Sequence, residues 1–176
     1  MCVVSIDFSA AFYKISHEYL QGILSAHGFI ASFIQRIIRL YNNATSELQI
    51  NGFRSSLIPM KSSIRQGCAI SMLLYAMCLN PLIQSLEKDL SGIKIGRRQV
   101  RTTVVAYADD VAIFLSSVAD IQKLKETLLA LEAATCAVVN IQKSRALALG
   151  TWDTTRQIMD IPYHKTSKYY CSNSRT

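Results

Sequence analysis

Two adjacent aspartates, Asp109 and Asp110, lie between two short apolar segments of the sequence. Apolar segments on both sides predict a strand, a tight turn and a second strand, with both carboxylates at the turn. Asp7 repeats the pattern, because it directly follows the apolar residues 1–6. Neighbouring negative charges repel each other and are costly to bury, and a divalent cation would offset both effects. Three carboxylates at the ends of neighbouring strands could hold two magnesium ions, an arrangement that serves phosphoryl transfer.

The same aspartates also have simpler interpretations. An Asp-Asp pair is common in hairpin turns, and an aspartate that follows a strand often caps a helix. A nuclease or another phosphodiesterase with two metal ions would use clustered carboxylates as well. The aspartates alone do not distinguish these interpretations, so the surrounding sequence has to be considered as well.

Hydrophobic patterning predicts the elements that would position the aspartates. Helices are predicted at residues 19–26, 31–41, 71–90 and 121–137. Strands are predicted at residues 1–6, twice within 102–115, and at 145–150, with a short strand in 92–96. Residues 48–52 and 57–60 are predicted to form a hairpin around Asn51-Gly52. This alternation predicts an α+β fold, a ferredoxin-like antiparallel sheet with helices on one face.

Composition narrows the class of protein. The chain has 176 residues, 50% hydrophobic and 18% charged, which fits one globular domain and excludes a disordered chain. No apolar stretch is long enough to predict a membrane span. Scattered cysteines and the lack of a signal-peptide pattern predict an intracellular protein of the nucleus or cytoplasm. The net charge of +7 favours a polyanionic partner, nucleic acid first, although an ordinary basic domain is the alternative.

Four motifs in the sequence resemble those of reverse transcriptases. Residues 106–111 (AYADDV) resemble motif C, which ends in D-D, and residues 6–12 (IDFSAAF) resemble motif A, D-F-x-x-A-F. Residues 65–74 (RQGCAISMLL) resemble motif B, R-Q-G-C-P-L-S-P-L-L, and residues 140–144 (NIQKS) resemble motif D, N-x-x-K-[ST]. The motifs follow the family's order over about residues 1–150. Together they resemble the palm region of a reverse transcriptase from a non-LTR retrotransposon.

The resemblance implies a polymerase site that uses two Mg²⁺ ions. Asp7, Asp109 and Asp110 match the carboxylates that place the ions at the primer 3′-hydroxyl and the incoming triphosphate. The backbone carbonyl of Phe8 matches a further metal ligand. Lys143 matches the motif D lysine, a candidate proton donor to pyrophosphate, with a solvated loop lysine as the alternative.

The resemblance also implies a site for the incoming nucleotide. Phe12 matches an aromatic gate that leaves no room for a 2′-hydroxyl, although a core aromatic residue is the alternative. Gln66 matches the motif B glutamine beside the nucleotide, and Gly67 permits close backbone approach. Arg65 matches a position that could contact template or phosphate, or it is a surface arginine. The implied partners are an RNA template, a DNA primer and a deoxynucleoside triphosphate (dNTP), and no membrane.

Some positions depart from the family's pattern. Tyr13 stands where the family usually has aspartate, and Ala69 and Met72 replace the two prolines of motif B. Residues 1–150 are expected to form a palm without the preceding fingers. Residues 151–176 are expected to be a loosely ordered end of the palm or start of the thumb connection.

The departures from the motifs and the expected absence of fingers lower the activity expected of the isolated chain. The chain is expected to be part of a polyprotein that also contains fingers, thumb and endonuclease regions, and to be inactive alone. A decayed retrotransposon remnant that binds nucleic acid weakly is the alternative.

Overall fold

A computed structural model describes residues 1–9, 11–60, 62–65, 67–135, 137–155 and 157–164 of the chain. The backbone divides into two compact units. The first contains Met1–Ser9, Leu82–Ala130 and the chain from Val138, and the second contains Ala10–Pro81 and Leu131–Ala137. Within the described ranges, no helix is both long and apolar enough to cross a membrane.

The secondary structure consists of short strands and five helices among the described residues. In chain order, the strands are β1 (Cys2–Ile6), β2 (Phe8–Ser9), β3 (Thr45–Ser46), β4 (Gln49–Ile50), β5 (Phe53–Arg54), β6 (Ile58–Pro59), β7 (Ile93–Ile95), β8 (Val100–Thr102), β9 (Val104–Tyr107), β10 (Asp110–Leu115), β11 (Val138–Val139) and β12 (Arg145–Ala148). The helices are α1 (Ala11–Lys14), α2 (His17–Ala26), α3 (Ala31–Arg39), α4 (Ser71–Asp89) and α5 (Val118–Thr135).

The first unit is built on a four-stranded sheet in the order β12-β1-β10-β9, with every neighbouring pair antiparallel. Val4 of β1 lies opposite Ile113 of β10 and Ala146 of β12, and all three are fully buried. The next residues along, such as Ser5 of β1 and Val105 of β9, are exposed. Because side chains alternate along a strand, one face of the sheet is buried and the other is open. This arrangement confirms the predicted α+β fold with an antiparallel sheet.

The two long helices also bury residues in the first unit. Leu82 and Leu86 of α4 and Leu124 and Leu128 of α5 are almost completely buried. A spacing of four residues places each pair on one face of its helix. Burial of these faces supplies the apolar free energy that holds the helices in the unit.

A buried carboxylate fixes the beginning of α5. Asp120 accepts hydrogen bonds from the backbone N–H groups of Ser91 (2.9 Å), Ser116 (2.9 Å) and Ser117 (3.0 Å). The N–H of Asp120 in turn donates to the Ser117 hydroxyl (3.3 Å), which forms a reciprocal cap. Burial alone would raise the pKa of Asp120, but the N–H donors outweigh it and lower the pKa below its ordinary value. This cap explains why α5 begins at Val118 rather than at the predicted residue 121.

The second unit contains α1, α2, α3 and two short strand pairs. β4 pairs with β5 through a two-residue turn at Asn51 (φ 50°) and Gly52 (φ 84°), so the predicted turn is confirmed. The strand predicted at residues 57–60 is present as β6, but its predicted pairing with residues 48–52 is wrong, because β6 pairs with β3. Two successive residues with positive φ form a tight turn whose twist matches that of the flanking strands. The strand directly after the turn, β5, therefore becomes the partner of β4.

Removing the charge of Asp120 should destabilise the fold at neutral pH. Asp120→Asn leaves backbone N–H donors without a charged acceptor, which should lower the free energy of unfolding by roughly 1–3 kcal/mol. The folded-state pKa lies below the unfolded value, so the contribution is complete above about pH 4 and is lost as the pH falls through the folded pKa. Urea unfolding from neutral pH into acid measures both effects.

Asp89→Asn is the matched control, because Asp89 is an exposed aspartate at the end of α4. Its effect should stay within about 0.5 kcal/mol. Equal losses in the two variants, or a loss at Asp120 that persists unchanged in acid, would contradict the role given to this carboxylate.

Candidate active site

The Asp-Asp pair lies where two strands of the sheet meet in a tight turn. Tyr107 of β9 is opposite Asp110 of β10, so Ala108 and Asp109 form the turn. Of these two turn residues, only Ala108 has a positive φ, 56°. Asp109 and Asp110 are both exposed. The turn thus presents both carboxylates at one end of the sheet, as the apolar segments around them predicted.

Asp7 lies at the same end of the sheet. Ile6 of β1 is opposite Val111 of β10, and Asp7 and Asp110 each lie one residue beyond this pair towards that end. Ile6 and Val111 are each 1% exposed and belong to the buried face. Since side chains alternate, Asp7 and Asp110 belong to the open face. The register therefore places Asp7 at the same end of the sheet as Asp109 and Asp110, from which it is separated by about 100 residues of sequence.

The chemistry of these carboxylates fits a divalent cation. Within the described part of the chain, the side chains of Asp7, Asp109 and Asp110 make no hydrogen bond or ion pair. Their oxygens are therefore available, and hard oxygen ligands are those that Mg²⁺ prefers. The described residues contain no group of three His, Cys, Asp or Glu side chains already gathered around one point. A cation would draw the carboxylates together against their mutual repulsion.

The backbone of Asp7 is joined to the loop that contains Lys143. The N–H of Asp7 donates to the Ser144 hydroxyl (3.1 Å), and the carbonyl of Asp7 accepts from the N–H of Asn140 (2.8 Å). Lys143 is exposed in this loop, and its N–H donates to the Asn140 side-chain oxygen (3.3 Å). The sequence assigned a role to Lys143 but none to Asn140 or Ser144. The only available signal was their presence at the two ends of motif D.

The carbonyl of Phe8 has a defined direction. Phe8 lies in β2 opposite Val139 of β11, and its side chain is buried. The hydrogen bond between Asn140 and Asp7 belongs to the preceding pair of this antiparallel ladder. Hydrogen bonding alternates along such a ladder, so the carbonyl of Phe8 turns away from β11.

Phe12 lies in the second unit and contributes to its packing. The side chain is 9% exposed and stacks on Tyr75 of α4, with ring centroids 4.3 Å apart and planes 19° apart. The carbonyl of Phe12 accepts a hydrogen bond from the N–H of Ile64 (2.8 Å). The ring therefore has a packing role, and its role as a sugar gate stays a prediction.

The other residues assigned to nucleotide binding also belong to the second unit. Arg65 is exposed and borders a cavity of about 310 Å³ that His17 and Tyr41 also line. Gly67 has φ 80°, a conformation that favours glycine, and the space beside its Cα is open. Gln66 lies outside the described residues. The role of Gln66 therefore stays a prediction from the sequence.

The family of this chain follows from a comparison with known protein families. The family model of reverse transcriptases (RNA-dependent DNA polymerases) matches residues 1–169. The chain belongs to the reverse transcriptase family. The matched range includes all four motifs.

Curated relatives of this reverse transcriptase chain come from transposable elements. An uncharacterised 149 kDa protein of transposon TX1 from Xenopus laevis is 30% identical over 86% of the chain, which spans 12% of that protein. The Pol polyprotein of the retrotransposable element R2DM from Drosophila melanogaster is 25% identical over 72% of the chain, again 12% of that protein. These relatives confirm the resemblance to non-LTR retrotransposon reverse transcriptases. The chain spans about one eighth of the length of either relative.

Solved structures of telomerase from Candida tropicalis share the fold of this reverse transcriptase chain. The apo enzyme covers 87% of the chain with a TM-score of 0.55 and 13% identity. The enzyme bound to a fragment of telomeric RNA covers 82% of the chain with a TM-score of 0.60. The chain matches 31% and 25% of those two structures, respectively, so the similarity concerns the palm-like α+β fold.

Glycine at position 108 should stabilise the turn that carries the aspartates. Alanine in the left-handed region costs about 1 kcal/mol, and the first residue of such a turn favours glycine. Ala108→Gly should raise the free energy of unfolding by up to about 1 kcal/mol, reduced by the greater freedom of glycine in the unfolded chain. Ala106→Gly in β9 is the control and should lower it by about 0.5–1 kcal/mol. Urea unfolding measures both, and destabilisation by both variants would show that the turn is not strained at Ala108.

Proposed function

We propose that the chain is the palm of an RNA-directed DNA polymerase that extends a primer with deoxynucleotides on an RNA template during retrotransposition. One observation carries the proposal: in the described part of the chain, Asp7, Asp109 and Asp110 lie at one end of the sheet and their side chains make no hydrogen bond or ion pair, in a chain of the reverse transcriptase family. Because the chain spans only 12% of the first two relatives, the activity is assigned to a longer protein that contains it.

In this proposal, the three carboxylates and the carbonyl of Phe8 hold two Mg²⁺ ions. When bound, such ions lower the pKa of the primer 3′-hydroxyl and neutralise the charge on the leaving pyrophosphate. The open face of the sheet gives the primer end access to Asp7 and Asp110. Lys143, exposed in the loop next to Ser144, donates a proton to the leaving pyrophosphate.

The second unit supplies the groups that bind the incoming nucleotide. Phe12 limits the space at the 2′ position of the sugar, and Arg65 and Gln66 contact the nucleotide or the template. Gly67, with its positive φ and open surroundings, lets the backbone approach the bound nucleotide. The excess of basic over acidic residues supports the nucleic-acid partners, since Lys and Arg neutralise phosphates.

Primer extension tests the proposed activity. A protein that joins this chain to fingers and thumb regions should extend a DNA primer on an RNA template with Mg²⁺, and the isolated chain should not. Asp110→Asn should reduce the rate by roughly 100-fold or more, since misplacement of reacting groups by about 1 Å already costs that much. Asp89→Asn, an exposed acid of α4, should leave the rate unchanged. Equal rates for Asp110→Asn and the unmodified protein would remove this site from the reaction.

Replacement of Phe12 tests the sugar gate. In the same longer protein, Phe12→Val should increase ribonucleotide incorporation relative to deoxynucleotide by roughly tenfold or more, because the smaller side chain leaves room for a 2′-hydroxyl. Tyr75→Leu is the control, since it disturbs the same ring stack from its other side. Single-nucleotide incorporation with matched dNTP and rNTP measures the ratio. The same change in both variants would assign Phe12 to packing alone.

A further inference from the structure

The backbone of Asp7 lacks the support that the strands give to its neighbours. The pairing of β1 with β10 ends at Ile6, and the pairing of β1 with β12 ends at Ser5. Asp7 follows both pairings and precedes the short strand β2. Its carboxylate lies at the same end of the sheet as two other negative charges, and these charges repel it. Something other than the main sheet must hold the residue in place.

The loop of residues 140–144 supplies that support from its two ends. The N–H of Asn140 donates to the carbonyl of Asp7 (2.8 Å), and the hydroxyl of Ser144 accepts from the N–H of Asp7 (3.1 Å). Both backbone polar groups of Asp7 are therefore bound by one short loop. The binding residues are the first and last residues of motif D.

The Ser144 hydroxyl completes an interrupted strand pairing. In a regular antiparallel pair, the N–H of Asp7 would bond directly to the carbonyl of Asn140. Here the hydroxyl lies between them, accepting from Asp7 and donating to the Asn140 carbonyl (2.8 Å). The Ser144 side chain is fully buried, so its hydroxyl is held between these two backbone groups. Loss of the hydroxyl would remove the acceptor of the Asp7 N–H.

The loop is itself held in shape, which makes it a rigid support. The N–H of Ser144 also donates to the Asn140 carbonyl (2.8 Å), and the N–H of Lys143 donates to the Asn140 side chain (3.3 Å). The guanidinium group of Arg145 donates to the carbonyls of Gln142 and Ser144. These bonds fix the spacing between the two ends that bind Asp7.

We propose that Ser144 is a positioning residue for the proposed metal ligand Asp7. Its hydroxyl fixes the backbone of Asp7, and thereby the direction of the carboxylate, through a bond to the backbone rather than to the side chain. The same loop contains Lys143, so the proposed proton donor and the metal ligand share one support. The inference rests on the proposed function, and its tests separate the two.

Amide hydrogen exchange on the full chain tests the contact directly. The amide of Asp7 should be protected although it lies beyond the paired part of β1. Ser144→Ala should speed its exchange at least tenfold, Ser144→Thr should keep it protected, and the amide of Val4 should stay protected in both. Fast exchange at Asp7 in the unmodified chain, or protection that Ser144→Ala leaves unchanged, would overturn the proposal.

Thr135→Val is the matched control for loss of a buried hydroxyl. Thr135 has the same bonding pattern as Ser144: its hydroxyl accepts from a backbone N–H, that of Ala137 (3.1 Å), and donates to a carbonyl, that of Leu131 (2.8 Å). None of these partners is Asp7. Thr135→Val should therefore leave the exchange rate at Asp7 unchanged, and a faster rate there would assign the effect to general loosening of the fold.

Metal binding then tests the consequence for the site. Mn²⁺ binding to the full chain, followed by electron paramagnetic resonance, should weaken by roughly tenfold in Ser144→Ala, a typical cost of losing support for a metal ligand. Ser144→Thr should restore the affinity, and Thr135→Val should not change it. Binding that depends on Asp7 but not on Ser144 would overturn this inference alone. Binding that survives the double variant Asp109→Asn, Asp110→Asn would instead overturn the proposed metal site.

Discussion

The register between β1 and β10 is the constraint on which the candidate site depends, because it sets where Asp7, the residue after β1, lies relative to Asp110 of β10. Side chains alternate between the faces of a sheet, so a shift of one residue would turn Asp7 away from Asp110. The shift would also expose Ile6 and Val111, each now 1% exposed. The apolar free energy of these and neighbouring pairs therefore selects the register. Burial on one face of the sheet determines which charged groups meet on the other.

The aspartates of the first unit differ in their surroundings, and the difference separates a structural role from a ligand-binding role. Asp120 is fully buried, and three backbone N–H groups compensate its charge. Asp109 and Asp110 are exposed and have no such donors among the described residues. A carboxylate whose hydrogen bonds are complete has little left to offer a ligand, whereas an exposed and unpaired one does. The fold thus uses the first kind to hold a helix and leaves the second kind available.

Motif A is divided between the two units, and each part is tied to a different motif. Asp7 belongs to the first unit, where Asn140 and Ser144 of motif D bind its backbone. Phe12 belongs to the second unit, where its ring stacks on Tyr75 of α4, the helix that begins within motif B. Residues of motif A that are close in sequence therefore pack in different units.

Local patterns in the sequence were sufficient for the four strands of the main sheet, the long helices and the turn that carries Asp109 and Asp110, because alternation and turn chemistry act between near neighbours. They did not predict the short strands β2, β3, β8 and β11. The motifs likewise identified the reverse transcriptase family. Tertiary structure alone decided that β6 pairs with β3, and that Ser144 bonds to Asp7 across 137 residues. A hydrogen bond between a side chain and a distant backbone group follows no periodicity. It forms only because the buried face of the sheet has already brought β1 and β12 together.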